Sequence, residues 1–324
     1  MKKSIVAFGE IMLRLTPPDK GSIKNTDSFC AYYGGSESNV LVALSSMGNS
    51  TKFVSQVSDN DLGEAAIKHL NSYKVDTSLV KKSGENLGMY FLEEGFGDRS
   101  SKVIYSRKNA SITHLEENDF DFDEVFLDCE IFHISGISFA LSESVKRLCF
   151  RLLKEAKKRN VKVSFDFNYR SKLWSCDEAR KVFLDVVPYA DIVFCSEKDI
   201  NTFLDTDLAL YFEKYPGTEY LVVREREIIS LDMHKVKAVI YTSQGKVTNI
   251  KQKEFSVLER IGSGDAFAAG VLNSLRKNPN NMEEALEFGI GCFVLKHTVK
   301  GDVFSMSENE ICSYIDNSLK DVAR

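Results

Sequence analysis

The chain has 324 residues, enough for one large α/β domain or two ordinary ones, and 43% of them are hydrophobic, which suffices for a sizeable core. Its net charge of −5 and the lack of a basic run argue against a nucleic-acid-binding protein. No apolar stretch is long enough to cross a membrane, and seven scattered cysteines without a secretory signal predict a cytoplasmic protein. The five histidines are far apart in sequence, which argues against a structural zinc site.

Short apolar segments rich in β-branched and aromatic residues alternate with helical patterns along most of the chain. They predict strands at residues 4–8, 52–57, 131–135, 161–167, 192–195 and 220–223. The clearest helix covers residues 142–159, with Ser142 as its N-cap and Asn160 as a left-handed stop. This alternation predicts an α/β fold with a mostly parallel sheet covered by helices.

Two stretches, residues 12–33 and 88–110, break the alternation because they contain strand and turn patterns without a long helix. In the second, Val103, Tyr105 and Arg107 occupy alternate positions and therefore share one face of a strand. We predict that both stretches form a small antiparallel sheet, a lid beside a single domain spanning residues 1–324. Two surface hairpins without a functional role are the alternative.

Residues 34–39 (GGSESN) precede a predicted helix at residues 40–47. The pair Gly34 and Gly35 lets the backbone pass close to a ligand, and Asn39 can hydrogen-bond a hydroxyl group. A simple turn with polar capping residues is equally compatible with this pattern.

Residues 166–170 (DFNYR) close a predicted strand, and ligands of α/β proteins gather at the carboxyl ends of strands. Strand alternation directs Asp166, Asn168 and Arg170 to one side. Arginine suits carboxylates and phosphates because its planar fork binds two oxygens at once. The alternative is a solvated loop with an Asp–Arg pair.

Residues 262–270 (GSGDAFAAG) are the most informative stretch of the chain. Apolar residues with helical spacing follow the glycines, and a helix start presents unpaired N–H groups that attract anions. Asp265 beside such a site fits a base that takes a proton from a nucleophile next to a phosphate. The alternative is that Asp265 only caps the helix. Phe267 replaces the third glycine of a dinucleotide fingerprint, and no P-loop sequence occurs in the chain.

Taken together, these motifs resemble the ribokinase-like (PfkB) carbohydrate kinases, and the resemblance covers the chain from end to end. Residues 34–48 match the N-terminal signature of that family and residues 260–267 its C-terminal signature. Five shorter segments are similar to the 2-keto-3-deoxygluconate kinases within the family: residues 88–90, 105–107, 134–137, 166–170 and 295–298. The resemblance implies a three-layer α/β domain with a β lid.

The resemblance also implies an activity and a site. It implies ATP-dependent phosphorylation of the 6-hydroxyl of 2-keto-3-deoxygluconate, with Mg²⁺ as cofactor and a homo-oligomer formed through the lid. Asp265 is the expected base, and the N–H groups of Gly262, Ser263 and Gly264 form the expected anion hole. The expected sugar-acid contacts are Gly34, Asn39, Tyr90, Tyr105, Arg107, Asn168 and Arg170. The expected nucleotide contacts are Ser196, Arg224, Gly262 and Gly264.

Several positions depart from the family pattern. Arg14 stands where neutral-sugar relatives carry an aspartate, which favours an anionic substrate. Ser263 replaces the usual alanine of the second signature, and Glu259 replaces an aspartate that often precedes it. Residues 224–229 (REREII) lack a glycine-rich nucleotide turn, and residues 196–199 (SEKD) lack the Asn-x-x-Glu motif, so metal ligands are not assigned.

Other functions remain open at the level of sequence. A fructokinase or another neutral-sugar kinase would have the same fold. A catalytically silent sensor of sugar or nucleotide would keep the signatures without turnover. A dehydrogenase is disfavoured by the missing third glycine. The exact sugar acid, the gluconate or the galactonate epimer, is not fixed by these residues.

Overall fold

The structure is a computed structural model, which describes residues 3–248 and 253–316. The two ends of the predicted 1–324 span therefore lie outside the described residues. The strands are β1 Ser4–Phe8, β2 Met12–Thr16, β3 Cys30–Gly34, β4 Ser50–Val57, β5 Asp76–Lys82, β6 Met89–Glu93, β7 Lys102–Ser106, β8 Cys129–Ser135, β9 Lys162–Asp166, β10 Ile192–Cys195, β11 Tyr220–Ile228, β12 Met233–Thr242, β13 Gly245–Thr248 and β14 Lys253–Ser256.

The helices are α1 Ser36–Ser46, α2 Asp61–Ser72, α3 Phe122–Val125, α4 Gly136–Phe139, α5 Glu143–Lys158, α6 Cys176–Val186, α7 Glu197–Phe203, α8 Tyr211–Lys214, α9 Ser263–Lys277, α10 Met282–Lys296 and α11 Glu308–Ile315. All six predicted strands are present, with ends that differ by at most a few residues except at β11, which continues to Ile228.

A large sheet forms the centre of the molecule. Its strand order is β13-β12-β11-β10-β9-β8-β1-β4-β5, and β14 also pairs with β12. The strands from β11 to β5 are parallel, whereas β12, β13 and β14 form an antiparallel edge. One core cluster holds the apolar residues of α1, α9 and α10, and a second holds those of α5 and α6. Two helical layers on one sheet confirm the predicted three-layer α/β fold.

Helix α5 shows how local sequence specifies one of these layers. The Ser142 hydroxyl accepts a hydrogen bond from the Val145 N–H at 3.2 Å, which caps the helix as predicted. Asn160 has a φ of 55° and ends the segment in the left-handed region. The predicted apolar face is completely buried: Val145, Leu148, Cys149, Leu152, Leu153 and Ala156.

The two interrupting stretches form a separate four-stranded sheet with the order β3-β2-β6-β7. The prediction of a purely antiparallel sheet was wrong, because β2 pairs with β6 in parallel while β3 and β7 pair antiparallel at the two edges. The pairs β2–β3 and β6–β7 come from two separate parts of the chain, and only β2 and β6 join them. Local sequence therefore does not indicate whether β2 and β6 run parallel or antiparallel.

The first helix begins earlier than predicted. Residues 36–39 belong to α1 instead of preceding it, and Gly35 is the N-cap residue. A Cβ atom at Gly35 would overlap the backbone carbonyl oxygen of Glu10. This glycine therefore permits close approach to another part of the protein backbone as well as to the cleft described below. No helix in the part of the chain that the structure describes is long and apolar enough to cross a membrane.

Candidate active site

A cleft of about 760 Å³ lies where the carboxyl ends of β9, β10 and β11 and the N-termini of α1 and α9 face the small sheet. Carboxyl ends of parallel strands are the usual place for ligands in α/β folds. Twelve of the thirteen predicted site residues line it: Gly34, Asn39, Tyr90, Tyr105, Asn168, Arg170, Ser196, Arg224, Gly262, Ser263, Gly264 and Asp265. Segments that are distant in sequence therefore form one cavity.

Asp265 lies in the first turn of α9, and its carboxylate is held by side chains of α1. The Asn39 amide donates to Asp265 Oδ2 at 2.7 Å, and the Ser36 hydroxyl donates to Oδ1 at 3.3 Å. Asn168 extends the network because its amide donates to Ser36 Oγ at 2.7 Å. The helix-capping alternative is wrong, since the N-cap is Gly262 and α9 has no side-chain cap hydrogen bond.

Two carboxyl groups in the cleft have raised pKa values. Burial raises the pKa of Asp265 to about 6, although hydrogen bonds from Asn39 and Ser36 and the charge of Arg170 oppose the shift. Burial also raises the pKa of Asp166 to about 7, and the nearby charge of Asp265 adds to this rise. A carboxylate with a pKa just below neutrality is suited to accept a proton from a substrate hydroxyl.

The turn before α9 has the geometry of an anion hole. Gly262 has a φ of 78°, and a Cβ atom there would overlap the carbonyl oxygen of Asp302, so glycine is required. The Ser263 hydroxyl donates to Arg260 O at 2.9 Å and ties the turn together, which explains why serine is accepted in place of alanine. First-turn N–H groups have no carbonyl partner within the helix and attract anions, although the Ser263 N–H here makes a long hydrogen bond of 3.4 Å to Arg260 O.

Arg224 supplies positive charge next to this turn. A Cβ atom at Gly264 would lie 3.3 Å from Arg224 Nη2, and the guanidinium carbon lies 4.7 Å from the centre of the Phe293 ring. Burial lowers the pKa of Arg224, whereas Asp166 raises it. The hydroxyl of Ser196 is engaged in the capping box of α7, where it donates to Asp199 Oδ2 at 2.7 Å.

The small sheet contributes two tyrosines to the cleft. Tyr90 and Tyr105 face each other across β6 and β7 with ring centres 5.9 Å apart. The Tyr90 hydroxyl donates a hydrogen bond to Asp302 Oδ1. Asp302 also lines the cleft and was not predicted from the sequence.

Arg107 is the one predicted site residue outside the lining of the cleft. Its guanidinium forms an ion pair with Glu10, and both side chains are largely buried, with 11% and 4% exposed. Burial raises the pKa of Glu10, and the adjacent Arg107 opposes that rise. Sequence reasoning missed this partner because Glu10 follows β1, ninety-seven residues away.

Arg14, which stands where neutral-sugar relatives carry an aspartate, does not face the cleft. It is completely buried and pairs with Glu259 and Asp302. The other charged residues that line the cleft and were missed by the motif analysis are Lys172, Asp199, Arg226 and Arg260. Ser36 could have been found, because it lies three residues before Asn39 on the same face of a helix.

Magnesium ions bind through one or two carboxylates together with substrate phosphates, so a dense protein ligand cluster is not required. Within residues 3–248 and 253–316, no group of three or more His, Cys, Asp and Glu side chains is arranged to hold a metal ion. Asp166 and Asp199 both line the cleft. Their carboxylate oxygens are the donor type that fits a phosphate-bound Mg²⁺.

Comparison with known proteins identifies the family of this chain. The profile of the pfkB family carbohydrate kinases matches residues 2–309. The chain is 32% identical over 316 residues to the 2-dehydro-3-deoxygalactonokinase of Haloferax volcanii, covering 96% of each chain. It is 28% identical over 308 residues to the 5-dehydro-2-deoxygluconokinase of Clostridium beijerinckii, covering 89% of this chain and 85% of that protein.

A solved structure is similar over nearly the whole molecule. The crystal structure of the 2-dehydro-3-deoxygluconokinase of Thermotoga maritima superposes with a TM-score of 0.93 at 32% identity, covering 98% of this chain and 99% of that one. The shared fold includes both the large sheet and the small one. Family membership also decides against the dehydrogenase alternative. The chain therefore belongs to the pfkB family of carbohydrate kinases.

Proposed function

We propose that this kinase transfers the γ-phosphoryl group of ATP to the primary 6-hydroxyl of 2-keto-3-deoxygluconate. The observation that carries the proposal is the Asp265 carboxylate, held by Asn39 and Ser36 at the N-terminus of α9. Three relatives named as kinases of keto-deoxy sugar acids support the substrate class.

Five cations against four carboxylates, Asp166, Asp199, Asp265 and Asp302, line the cleft, and these cations can bind anionic substrates. The cations are Arg170, Lys172, Arg224, Arg226 and Arg260. A nucleoside triphosphate and a sugar carboxylate together need more positive charge than a neutral sugar and the same nucleotide. Arg170 is exposed at the end of β9 and is the cation that we assign to the sugar carboxylate.

In the proposed reaction Asp265 accepts the proton of the 6-hydroxyl as that oxygen forms a bond to the γ-phosphorus. The bond between the γ-phosphorus and the β-γ bridging oxygen breaks, and ADP leaves. The N–H groups of Gly262, Ser263 and Gly264 stabilise charge on the transferring phosphoryl group. Arg224, next to Gly264, binds the nucleotide phosphates. Mg²⁺ bound with the nucleotide would neutralise phosphate charge, and Asp166 and Asp199, which line the cleft, could hold it.

The small sheet is proposed to act as a lid that excludes water, since water would otherwise accept the phosphoryl group. Tyr90 and Tyr105 would then contact the sugar acid from the lid. The exposed apolar residues Phe29, Phe96 and Ile104 lie on or beside this sheet and support pairing between two lids in a homo-oligomer. Light scattering on the purified protein tests this, because a monomer at micromolar concentration would contradict it. The seven cysteines are free thiols, which fits the proposed cytoplasmic location.

A coupled assay for ADP release tests the function directly. Purified protein is assayed with ATP, Mg²⁺ and, in turn, 2-keto-3-deoxygluconate, 2-keto-3-deoxygalactonate, 5-keto-2-deoxygluconate, fructose and ribose. The proposal requires the highest kcat/KM with 2-keto-3-deoxygluconate and a phosphate ester at carbon 6 by NMR. A preference for fructose or ribose refutes the sugar-acid assignment, and no turnover with any sugar supports a sensor.

The galactonate epimer is a second candidate, favoured by the 32% identity to a 2-dehydro-3-deoxygalactonokinase. The same assay separates the two epimers. Comparable kcat/KM values for both would identify an enzyme that does not discriminate at that hydroxyl.

A further inference from the structure

Four charged side chains are buried together beneath the N-terminus of α9: Arg14, Glu259, Lys296 and Asp302. Arg14 Nη1 contacts Glu259 Oε1, and the same nitrogen lies 3.2 Å from Asp302 Oδ2. Its Nε and Nη2 atoms have no hydrogen-bond partner among the described residues. A single nitrogen of Arg14 therefore contacts both carboxylates, and Asp302 Oδ2 has no hydrogen-bond partner among the described residues.

The first carboxylate belongs to the segment that leads into the anion hole. Glu259 precedes Gly262 by three residues, and its Oε2 atom accepts a hydrogen bond from the Gly301 N–H at 2.8 Å. The backbone of the next residue, Asp302, packs directly against Gly262. Fixing Glu259 therefore fixes the start of the turn whose N–H groups face the cleft.

The second carboxylate connects to the small sheet. Arg14 lies on β2 and Tyr90 on β6, and the two residues are paired in register. The Tyr90 hydroxyl donates to Asp302 Oδ1, while Arg14 contacts Oδ2 of the same carboxylate. The Arg14 guanidinium also stacks on the Tyr32 ring at 4.3 Å. Arg14 thus links Tyr90, the proposed sugar contact, to the turn at Gly262, the proposed phosphate contact.

We propose that Arg14 is a positioning residue for phosphoryl transfer, because its guanidinium holds the anion-hole turn and Tyr90 in one relative arrangement through Glu259 and Asp302. This inference rests on the proposed function of the cleft. Burying charges is costly, so a buried ion network that is nevertheless kept fits a role in holding its neighbours in place. Small displacements of groups that orient substrates can lower turnover by ~10²-fold.

Two substitutions at the same position separate charge from packing. Arg14→Met keeps most of the side-chain volume and removes the guanidinium that contacts both Glu259 and Asp302, while Lys296 remains as a nearby cation. Arg14→Lys keeps a cation, and one ammonium group can contact both carboxylates because a single nitrogen does so in the native protein. The matched control is Arg276→Met at the opposite end of α9, away from the cleft. There Arg276 forms an ion pair with Glu130, with an N–O distance of 2.7 Å.

Steady-state kinetics on the folded variants give the decisive values. With Arg14→Met we expect kcat to fall by ~10-fold to 100-fold and the sugar-acid KM to rise, because the turn and Tyr90 are no longer held in one relative position. Arg14→Lys should recover most of the lost kcat. Arg276→Met should lower the melting temperature while both kinetic constants stay at the wild-type values.

Wild-type kcat and sugar-acid KM in a folded Arg14→Met protein would overturn the inference, whatever its melting temperature. If that variant does not fold, Glu259→Gln takes its place, since glutamine can still accept from the Gly301 N–H but loses the charge that holds Arg14. Unchanged kinetics in folded Glu259→Gln would then overturn the inference. A wild-type enzyme without activity on sugar acids refutes the proposed function instead, so the two failures are distinguishable.

Discussion

Replacing Asp265 by asparagine tests the centre of the proposed chemistry. An amide cannot accept the proton of the substrate hydroxyl at neutral pH. The fold should persist, because the oxygen of the introduced amide can accept from Asn39 and its NH₂ group can donate to the Ser36 hydroxyl, which donates to the native carboxylate at 3.3 Å. A loss of general base catalysis lowers kcat by ~10²- to 10⁴-fold.

The pH dependence gives a second, independent magnitude. Because burial raises the pKa of Asp265 to about 6, about a tenth of the enzyme carries the required carboxylate at pH 5 and about nine-tenths at pH 7. The value of kcat/KM should therefore rise about tenfold between pH 5 and pH 7. Asp166, whose pKa is also raised, titrates with Asp265 as a coupled pair, so the apparent midpoint belongs to both.

The assay is coupled ADP release with 2-keto-3-deoxygluconate from pH 5 to pH 8. In Asp265→Asn the acidic limb of the profile should disappear along with most of the activity. Asp232→Asn, the same substitution in the exposed turn between β11 and β12, is the matched control and should retain the wild-type profile. An Asp265→Asn enzyme with more than a tenth of wild-type kcat would show that another group accepts the proton.

Other variants test the packing and charges described above. Gly262→Ala should abolish turnover because its Cβ would overlap a backbone carbonyl. Gly264→Ala should fold normally and raise the ATP KM, since its Cβ meets only the end of the Arg224 side chain. Kinetics and circular dichroism of both variants check these expectations. Arg107→Ala alone should destabilise the protein by ~3–5 kcal/mol, because Glu10 is left buried without its partner. Arg107→Ala/Glu10→Gln should recover part of that stability, which urea unfolding measures. A raised sugar-acid KM in the double variant would support the substrate role of Arg107. Burial raises the pKa of Glu37 to about 7, so folding takes up a proton above the unfolded pKa. The free energy of unfolding should therefore fall by about 3 kcal/mol as pH rises from 4.5 to 7. Glu37→Gln should flatten that pH dependence, and an unchanged dependence in urea unfolding would contradict the pKa shift.

Local signals in the sequence specified most of the fold. Buried parallel strands are continuous apolar runs, which is why the strand at residues 131–135 was recognised within β8. Helix α5 carries both a cap and a complete apolar face. The start of α1 was missed because Ser36 to Asn39 are polar residues that resemble a loop, although all four are buried in the first turn. Their polar atoms bind Asp265 and other buried groups instead of solvent.

The site residues also divide into those that local sequence predicted and those that it did not. Those within the glycine motifs and at the end of β9 were predicted, because short segments place them together at the ends of elements. The partners of Arg107 and Arg14 were not predicted, since Glu10 and Glu259 lie far away in sequence and an ion pair of that separation leaves no periodic pattern. Arg107 was expected in the cleft because nothing in the sequence indicated its counter-ion.

The hydrogen bond from Ser36 to Asp265 spans 229 residues and has a consequence for biosynthesis. Because Asp265, its two α1 donors and Asp302 come from opposite ends of the chain, no ribosome-bound fragment ending before residue 302 contains the whole candidate site. Contacts so distant in sequence form late in folding. A nascent chain can thus build most of its large sheet before the residues of the candidate site are all present.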